Sequence, residues 1–228
     1  MTQRTAVKTI DTLLLNGIYG GTFDPIHHGH LRIAEELLDI ISLEKIIFVP
    51  SGEPRLREKP VASKIQRAEM VKLAIHGNEH FSIDEREINR NGVSVTVQTL
   101  RELRHESDTD EALCFILGMD AFGKIDQWFE WRELFTLCHL VVVARPGYMP
   151  VAEERNWSVA VEAEFAARNT TNADELARQS SGLIYAAQTS LLDISASRIR
   201  ALIAAGKSTR YLLPENVGDY IKHNKLYL

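Results

Sequence analysis

Short runs of apolar residues alternate along the chain with stretches in which apolar positions recur at helical spacing. Between the first two runs, Ile33, Leu37 and Ile41 recur every four residues, which is typical of one face of a helix. Strands that alternate with helices predict βαβ units and a parallel sheet covered by helices on both faces. The predicted strands are 12–19, 45–50, 80–84, 112–118, 139–147 and 182–187.

Several helical stretches have recognisable ends. Ser63 is followed three residues later by Gln66, a capping box that predicts a helix start. The turn signal Asn91-Gly92 precedes another predicted helix. The other predicted helices are 29–42, a broken helical stretch over 118–135, 195–205 and 214–223. The stretches without clear periodicity are the predicted loop 51–62 and the polar segment 151–180.

Composition excludes several classes of protein. With 228 residues, 45% apolar and 25% charged, the chain suits one to two globular domains and is neither fibrous nor disordered. Its net charge of −5 argues against a nucleic-acid-binding protein. The longest aliphatic run, 140–144, is far shorter than the ~20 residues that span a bilayer, so we expect no membrane partner. Cys114 and Cys138 have no metal or disulfide spacing, and we expect reduced core residues of a cytoplasmic protein.

The string GGTFDPIHHGH lies where the first predicted strand passes into the first helix. In a parallel sheet, ligands bind beyond the carboxyl ends of strands, and helix N-termini attract anions. Gly20 and Gly21 let backbone N–H groups approach an anion, and His27 and His30 share one face of a helical turn. We interpret the string as a phosphate site. The alternatives are a surface turn with incidental histidines, or a metal site formed by the histidines and Asp24.

The string ISASRIR is a second candidate anion site, at the start of the helix predicted from residue 195. Ser195 or Ser197 is the expected N-cap. Arg198 and Arg200 fall near the first turn, where the helix dipole disfavours cations by ~0.3–1 kcal/mol, so an anion between them is expected. Ser197 lies three residues before Arg200 and can face the same ligand. An ordinary surface helix is the alternative.

These two strings resemble the signatures of a nucleotidyltransferase superfamily with Rossmann-like sheets. The segment His27-His28-Gly29-His30 matches its [TH]-x-G-H motif, and 194–200 is similar to its second signature, whose serine or threonine and arginine hold the β- and γ-phosphates of a triphosphate. Within the superfamily, residues 17–228 resemble bacterial nicotinate mononucleotide adenylyltransferases. The supporting segments are GGTFDPIHHGH, DERE with SVTVQTL, FILGMDAF, WFEW, ARPG, ISASRIR and LLPENVGDYIKHNKLY.

The resemblance implies an α/β fold, with a Rossmann-like doubly wound parallel sheet and a small C-terminal helical subdomain. The expected divisions are an extension over 1–16, the core over 17–193 and the subdomain over 194–228. The resemblance also implies an enzyme that transfers the adenylyl group of ATP to nicotinate mononucleotide, giving deamido-NAD and pyrophosphate. Mg²⁺ would be held mainly by substrate phosphates rather than by protein ligands. The open alternatives are nicotinamide mononucleotide or phosphopantetheine as acceptor, a non-catalytic nucleotide-binding sensor, and a monomer or a homo-oligomer.

The resemblance further implies which residues act. His27, His30 and Arg200 would be catalytic, with the histidines donating to α- and bridging phosphate oxygens. Stacking on the pyridine ring would involve Trp128 with Phe129, whereas Trp131 and Phe135 are expected in the core. The expected ATP-binding residues are Gly20, Gly21, Thr22, Phe23, His27, His30, Gly118, Asp120, Ser197 and Arg200. The expected mononucleotide-binding residues are Thr96, Trp128, Phe129 and Arg57.

Two departures from the family pattern fall near the mononucleotide. The loop after the second strand usually reads P-P-H-[KR] in the family, whereas here it reads Pro54-Arg55-Leu56-Arg57. Val95 stands where the family has the tyrosine of S-Y-T. Because the absent histidine removes one directional donor at the acceptor, we expect Arg57 to carry more of the closure of this loop over the mononucleotide. We also expect the loop 51–62 to act as a mobile lid that orders only when ligand contacts offset its loss of backbone entropy.

Overall fold

The computed structural model describes residues 12–54, 59–108, 111–144, 156–190 and 192–228. Seven of its strands form one parallel sheet in the order β4-β2-β1-β6-β7-β9-β8, and β3 and β5 pair separately. The prediction of a parallel sheet is therefore confirmed. In chain order the strands are β1 (Leu14–Gly21), β2 (Lys45–Pro50), β3 (Glu53–Pro54), β4 (Phe81–Ile83), β5 (Val93–Ser94), β6 (Glu111–Gly118), β7 (His139–Ala144), β8 (Asn169–Thr170) and β9 (Ile184–Gln188).

The strand order reverses direction between β1 and β6. From β1 the chain moves to β2 and β4 on one side and then returns to β6 on the other. The parallel register, in which Tyr19 pairs with Ile116, brings the carboxyl ends of β1 and β6 side by side. Ligands of doubly wound sheets bind at such a reversal. The crevice to search for a site therefore lies beyond Gly21 and Gly118.

The helices cover both faces of the sheet. They are α1 (His28–Ile40), α2 (Lys64–Ile75), α3 (Arg86–Asn89), α4 (Thr96–Glu106), α5 (Met119–Phe122), α6 (Leu134–Leu137), α7 (Val159–Arg168), α8 (Ala196–Ala204) and α9 (Glu215–His223). Short 3₁₀ helices lie at Ile125–Gln127, Trp131–Glu133 and Ala173–Arg178. The stretch predicted as broken helix is thus α5, two 3₁₀ turns and α6.

Two buried clusters lie on opposite faces of the sheet. The first contains side chains of α1, α2, α8 and α9, such as Leu37, Met70, Ile199 and Ile221. The second contains side chains of α4 to α7, such as Leu100, Phe122, Leu134 and Val161. Both cysteines are fully buried and free, and burial raises the pKa of the Cys138 thiol to about 12. The prediction that both cysteines are core residues is confirmed.

Local signals placed two helix starts correctly. The Ser63 Oγ accepts the Gln66 N–H at 3.3 Å, and the Gln66 Oε1 accepts the Ser63 N–H at 3.0 Å, so the predicted capping box opens α2. Ser195, rather than Ser197, is the N-cap of α8, because its Oγ accepts the Arg198 N–H at 3.3 Å. Each such cap satisfies a backbone donor that the helix itself leaves unpaired, which stabilises the helix by ~1 kcal/mol.

The sequence did not predict α3 or the β3–β5 pair, nor the elements within the polar segment 151–180, which are α7, β8 and the 3₁₀ helix Ala173–Arg178. In α7 seven of the ten residues are Val, Ala or Phe, but only Val161 and Phe165 are buried, so the sequence shows no clear division into an apolar and a polar face. The helix gains its stability from packing instead, since the Phe165 ring lies 5.9 Å from Phe122 and 5.3 Å from Trp157, centroid to centroid. Within the described ranges, no helix combines the length and apolar character needed to cross a bilayer.

Candidate active site

The turn between β1 and α1 is shaped by one aromatic ring. Phe23 adopts a left-handed backbone conformation with φ of 50° and is buried. Its ring covers Gly21 so closely that a Cβ there would lie 2.7 Å from the Phe23 Cζ. Gly21 therefore cannot be exchanged without moving the ring. The backbone of this turn, including Gly20 and Thr22, lies at the carboxyl end of β1, where the sequence predicted a phosphate site.

His27 and His30 meet at the N-terminus of α1, as their spacing predicted. His27 is the N-cap, and its ring stacks on that of His30 with centroids 3.8 Å apart. The His27 N–H donates to the His30 Nδ1 at 3.3 Å, so the proton of a neutral His30 ring sits on Nε2. A Cβ on Gly29 would lie 3.0 Å from the His27 ring, which explains why glycine stands between the histidines.

The two rings differ in their surroundings. His27 is only 6% exposed, and burial lowers the pKa of its imidazole to about 4, with the nearby His28 adding to the effect. His27 is therefore neutral at pH 7. Its Nδ1 is buried and has no hydrogen-bond partner among the described residues. Because a buried polar atom without a partner is costly, it is a natural place for a ligand to supply one.

Arg200 connects the two sequence strings. It lies on α8, and its Nη1 donates to the main-chain carbonyl oxygen of Asp24 at 2.7 Å, across 176 positions of sequence. The start of α8 also lies near the start of α1, since the Ile194 carbonyl is 3.7 Å from where a Gly29 Cβ would stand. Ser197 is exposed on the first turn of α8. The structure thus brings both candidate anion sites to one end of the sheet.

Asp24 is not placed as a metal ligand. Its Oδ2 accepts the Val61 N–H at 2.8 Å, and its Oδ1 accepts the Ala62 N–H at 3.2 Å and the Tyr227 hydroxyl at 2.6 Å. Across the residues that the structure describes, no group of three or more His, Cys, Asp or Glu side chains is arranged to hold a metal ion. The interpretation of the two histidines with Asp24 as a metal site is therefore not supported by this geometry.

Arg67 is a site-forming residue that the sequence did not reveal. It lies on α2, is 1% exposed, and donates to the carbonyl oxygens of Thr22 at 2.7 Å and Gly52 at 2.8 Å. Burial lowers the pKa of its guanidinium, and the negative charge of Asp24 partly compensates. Arg67 thereby fastens the β1–α1 turn to the segment after β2. Nothing in the sequence distinguishes it from the exposed arginines of other helices.

The second side of the crevice is formed by the segment that follows β6. Gly118 ends that strand and Asp120 follows it, both exposed. Trp128 is half-buried, and its ring meets Phe115 edge-on at 6.1 Å between centroids. Phe115 in turn lies 3.1 Å from where a Gly20 Cβ would stand, so Trp128 and the β1 turn share one ring as a neighbour.

The remaining candidates are distributed as follows. Phe129 is 51% exposed beside Trp128, whereas Trp131 and Phe135 are buried in the core as expected. Thr96 is the half-buried first residue of α4. Arg57 lies outside the described residues, as does the middle of the loop predicted to form a lid.

Comparisons with known proteins find relatives over most of the length of this chain. A family model described as cytidylyltransferase-like matches residues 18–202. A protein of Marinobacter nauticus named "Probable nicotinate-nucleotide adenylyltransferase" is 45% identical over 211 residues, which cover 92% of this chain and 95% of that protein. An Aeromonas salmonicida protein of the same name is 42% identical over 211 residues, which cover 92% of this chain and 96% of that protein.

A solved structure also has the same fold. Plasmodium falciparum nicotinic acid mononucleotide adenylyltransferase, complexed with NaAD, matches with a TM-score of 0.69 at 17% sequence identity. The match covers 94% of this chain and 97% of that chain. At this identity the likeness concerns the arrangement of strands and helices, which agrees with a doubly wound Rossmann-like sheet.

Proposed function

Because this chain belongs to the nicotinate-nucleotide adenylyltransferase family, we propose that it transfers the adenylyl group of ATP to nicotinate mononucleotide, giving deamido-NAD and pyrophosphate in NAD biosynthesis. The observation that carries this proposal is the contact of Arg200 with Asp24 at 2.7 Å. It joins two strings suited to phosphate at the reversal point of the sheet, where such folds bind nucleotides.

The reaction needs no protein nucleophile. A 5′-phosphate oxygen of the mononucleotide attacks the α-phosphorus of ATP and forms a new P–O bond. The bond between the α-phosphorus and the bridging oxygen to the β-phosphate breaks, and pyrophosphate leaves with that electron pair. Catalysis therefore consists of holding two negatively charged reactants together and stabilising the charge that develops. The proposed groups for this role are His27, His30 and Arg200.

The three proposed groups differ in charge, and each suits a different part of the triphosphate. His27 is neutral at pH 7, since burial lowers its pKa to about 4, so it contributes hydrogen bonds rather than a full charge. His30 would donate from Nε2 to an α-phosphate oxygen. Arg200, with Ser197 one turn earlier on α8, would hold the β- and γ-phosphates and so steady the leaving pyrophosphate. Each such donor is worth on the order of 10²–10³ in rate.

We propose that Mg²⁺ arrives with ATP rather than in a protein cage. The groups gathered here are nitrogen donors suited to phosphate, and the carboxylate of Asp24 already accepts three hydrogen bonds. Magnesium prefers oxygen ligands and commonly binds through substrate phosphates. When bound, the ion would neutralise part of the triphosphate charge. The chain's own residues would then orient the phosphates around it.

On the acceptor side, we propose that Trp128 supplies the stacking platform for the pyridine ring. Its ring is half-buried and held edge-on by Phe115, and an electron-rich indole suits an electron-poor pyridinium. Phe129, Thr96 and Arg57 would complete the mononucleotide site. On the ATP side, Gly20, Gly21, Thr22 and Phe23 would contribute backbone, with Gly118 and Asp120 at the ribose.

The test is pyrophosphate release with ATP and a panel of acceptors. We expect nicotinate mononucleotide to give the highest kcat/KM and nicotinamide mononucleotide a lower one. A higher value with phosphopantetheine would reject the assigned acceptor. Tight ATP binding without turnover on any of the three would indicate a nucleotide-binding sensor instead.

A further inference from the structure

Near the end of α9, the side chain of Tyr227 contacts the first phosphate string. Tyr227 is 7% exposed and donates its hydroxyl to Oδ1 of Asp24 at 2.6 Å, across 203 positions of sequence. Asp24 is itself only 5% exposed. Burial, together with the hydrogen bond to Asp24, raises the pKa of Tyr227 well above its ordinary value, so the hydroxyl stays protonated and remains a donor.

The two oxygens of the Asp24 carboxylate are used differently. Oδ1 accepts the Tyr227 hydroxyl and a longer bond of 3.2 Å from the Ala62 N–H. Oδ2 accepts the Val61 N–H at 2.8 Å and lies 3.9 Å from the Nη1 of Arg200. That Nη1 makes its own 2.7 Å hydrogen bond to the main-chain oxygen of Asp24. Arg200 is thus held by the main-chain oxygen of Asp24. Its guanidinium lies near the Asp24 carboxylate but does not form two parallel hydrogen bonds with it.

Arg200 could instead form a paired salt bridge with the Asp24 carboxylate. A guanidinium and a carboxylate prefer two parallel hydrogen bonds, and a buried carboxylate oxygen that lacks a donor is costly. Without the Tyr227 hydroxyl, Oδ1 would keep only the long bond from Ala62. Arg200 is a cation within reach of this carboxylate, since its Nη1 lies 3.9 Å from Oδ2, whereas the Nη1 and Nη2 of Arg67 already donate to the carbonyls of Thr22 and Gly52. Arg200 would then turn its N–H groups toward Asp24 and away from a phosphate.

We propose that Tyr227 is a positioning residue: its hydroxyl occupies the Asp24 carboxylate so that the N–H groups of Arg200 stay available to the triphosphate. This inference rests on the proposed function only in assigning Arg200 to the phosphates of ATP. It gives the C-terminal end of the chain a part in ATP binding, although it lies far from the phosphate strings in sequence.

The first measurement compares Tyr227→Phe with the unmodified enzyme. The change deletes one hydroxyl and keeps the buried ring. We expect kcat/KM for ATP to fall about tenfold, the size of one lost hydrogen bond to a charged group, while the KM for nicotinate mononucleotide changes less than twofold. The matched control is Tyr220→Phe, on α9, whose hydroxyl is not among the donors to Asp24 in the described structure. It should leave both constants within twofold.

The second measurement asks whether the effect passes through Arg200. The Kd of Mg-ATP is measured without acceptor for Tyr227→Phe, for Arg200→Ala and for the double variant. We expect Tyr227→Phe to weaken binding severalfold in the parent enzyme and less than twofold in the Arg200→Ala background. Equal weakening in both backgrounds, an unchanged Kd in Tyr227→Phe, or equal losses for both substrates would overturn the proposal.

The binding cycle also separates the two proposals. It uses ATP alone, so it gives its answer whether or not nicotinate mononucleotide is the acceptor. If the parent enzyme binds Mg-ATP but releases no pyrophosphate with any acceptor, the proposed function fails while the cycle still decides the role of Tyr227. A thermal melt of each variant checks that the compared proteins are folded at the temperature of the assay.

Discussion

At the scale of single residues, the site depends on two stacked histidine rings that have different chemical surroundings. His27 is buried at the N-cap of α1, whereas His30 is half-buried one turn later and accepts the His27 N–H on Nδ1. The same spacing therefore produces one ring with a strongly lowered pKa and one ring with a defined tautomer. Their distinct contributions can be measured separately.

His30→Ala should lower kcat about 100-fold, with a smaller change in the KM for ATP, because its proposed contact strengthens in the transition state. Steady-state pyrophosphate release measures both constants. His28→Ala is the matched control: it removes an imidazole from the same turn, but His28 lines a different cavity, beside α8 and α9, and turnover should stay within about threefold of the unmodified enzyme. Retention of normal turnover by His30→Ala at saturating substrates would contradict the assigned role.

His27 should make the protein less stable in mild acid. Its folded-state pKa of about 4 lies below the ordinary 6.5, so the unfolded chain binds the proton more readily between these values. The stability that His27 contributes is therefore complete above pH 6.5 and lost as the pH falls toward 4. Between pH 7 and 4.5 this loss of stability is about 2–3 kcal/mol. Burial also lowers the pKa of His139, so His139 likewise destabilises the fold as the pH falls.

Urea denaturation at the two pH values measures this effect. His27→Gln should reduce the difference in unfolding free energy between pH 7 and 4.5 by about 2 kcal/mol. The exposed His76, changed to Gln, serves as the control and should leave the difference unaltered. A variant at position 27 with the same acid sensitivity as the parent protein would show that His27 is not the titrating group.

Trp128→Ala should mainly raise the KM for the mononucleotide. Loss of a stacking ring costs about 0.5–1.5 kcal/mol, equivalent to about two- to tenfold in KM, and kcat should change less. Trp128→Phe keeps an aromatic face and should recover most of the affinity. Substrate titrations at saturating ATP provide the comparison. An effect of equal size on the KM for ATP would argue against a specific contact with the pyridine ring.

At the scale of elements, α2 holds two segments of the site together through the side chain of Arg67. The helix begins at a capping box and places a guanidinium between the turn after β1 and the segment after β2. The two carbonyl contacts add polar anchoring to a turn whose Phe23 and Ile26 side chains are already buried in the core. The helix α2 thus fixes the position of the segments that form the crevice.

Arg67→Met should destabilise the protein by about 3 kcal/mol, because two buried carbonyl oxygens lose their donor while the volume is nearly kept. The KM for ATP should rise as well, since the β1–α1 turn loses its anchor. Chemical denaturation and steady-state kinetics test the two expectations. Arg32→Met is the control, because Arg32 forms an exposed pair with Glu36 one turn away, and its effect should be much smaller. Similar losses in the two variants would contradict the supporting role.

At the scale of the whole molecule, the C-terminal helices share a core with the N-terminal ones. Val217 and Ile221 of α9 lie in the same buried cluster as Leu37 of α1 and Met70 of α2. The tryptophans lie in the cluster on the other face of the sheet. We therefore expect the described part of the chain to unfold as one cooperative unit rather than to lose a C-terminal subdomain first.

Ile221→Ala tests this cooperativity. It should destabilise the fold by about 2–5 kcal/mol, and the transitions followed by tryptophan fluorescence and by far-ultraviolet circular dichroism should shift together. Val159→Ala, at a side chain that is 87% exposed on α7, should change neither. If the fluorescence transition stays in place while part of the circular dichroism signal is lost earlier, α8 and α9 form a separately unfolding unit.

The sequence by itself determined the features that short stretches encode. The run 45–50 matches β2 residue for residue, the Ser63–Gln66 box opens α2, and the alternation of strands with helices led directly to a parallel sheet. The residue types of the two phosphate strings also indicated their chemistry. Each of these signals depends on spacing within one element, where the backbone geometry relates side chains a few positions apart.

Only the tertiary structure decided how these pieces meet. Asp24, first considered as a metal ligand, instead gathers hydrogen bonds from Val61, Ala62 and Tyr227, and Arg67 holds two turns that no local pattern connects to it. The helix α7 likewise depends on rings from other elements. These contacts join residues separated by up to 203 positions. Their partners are set by how the chain closes on itself, and the energy of a buried charge or hydroxyl depends on those partners rather than on its neighbours in sequence.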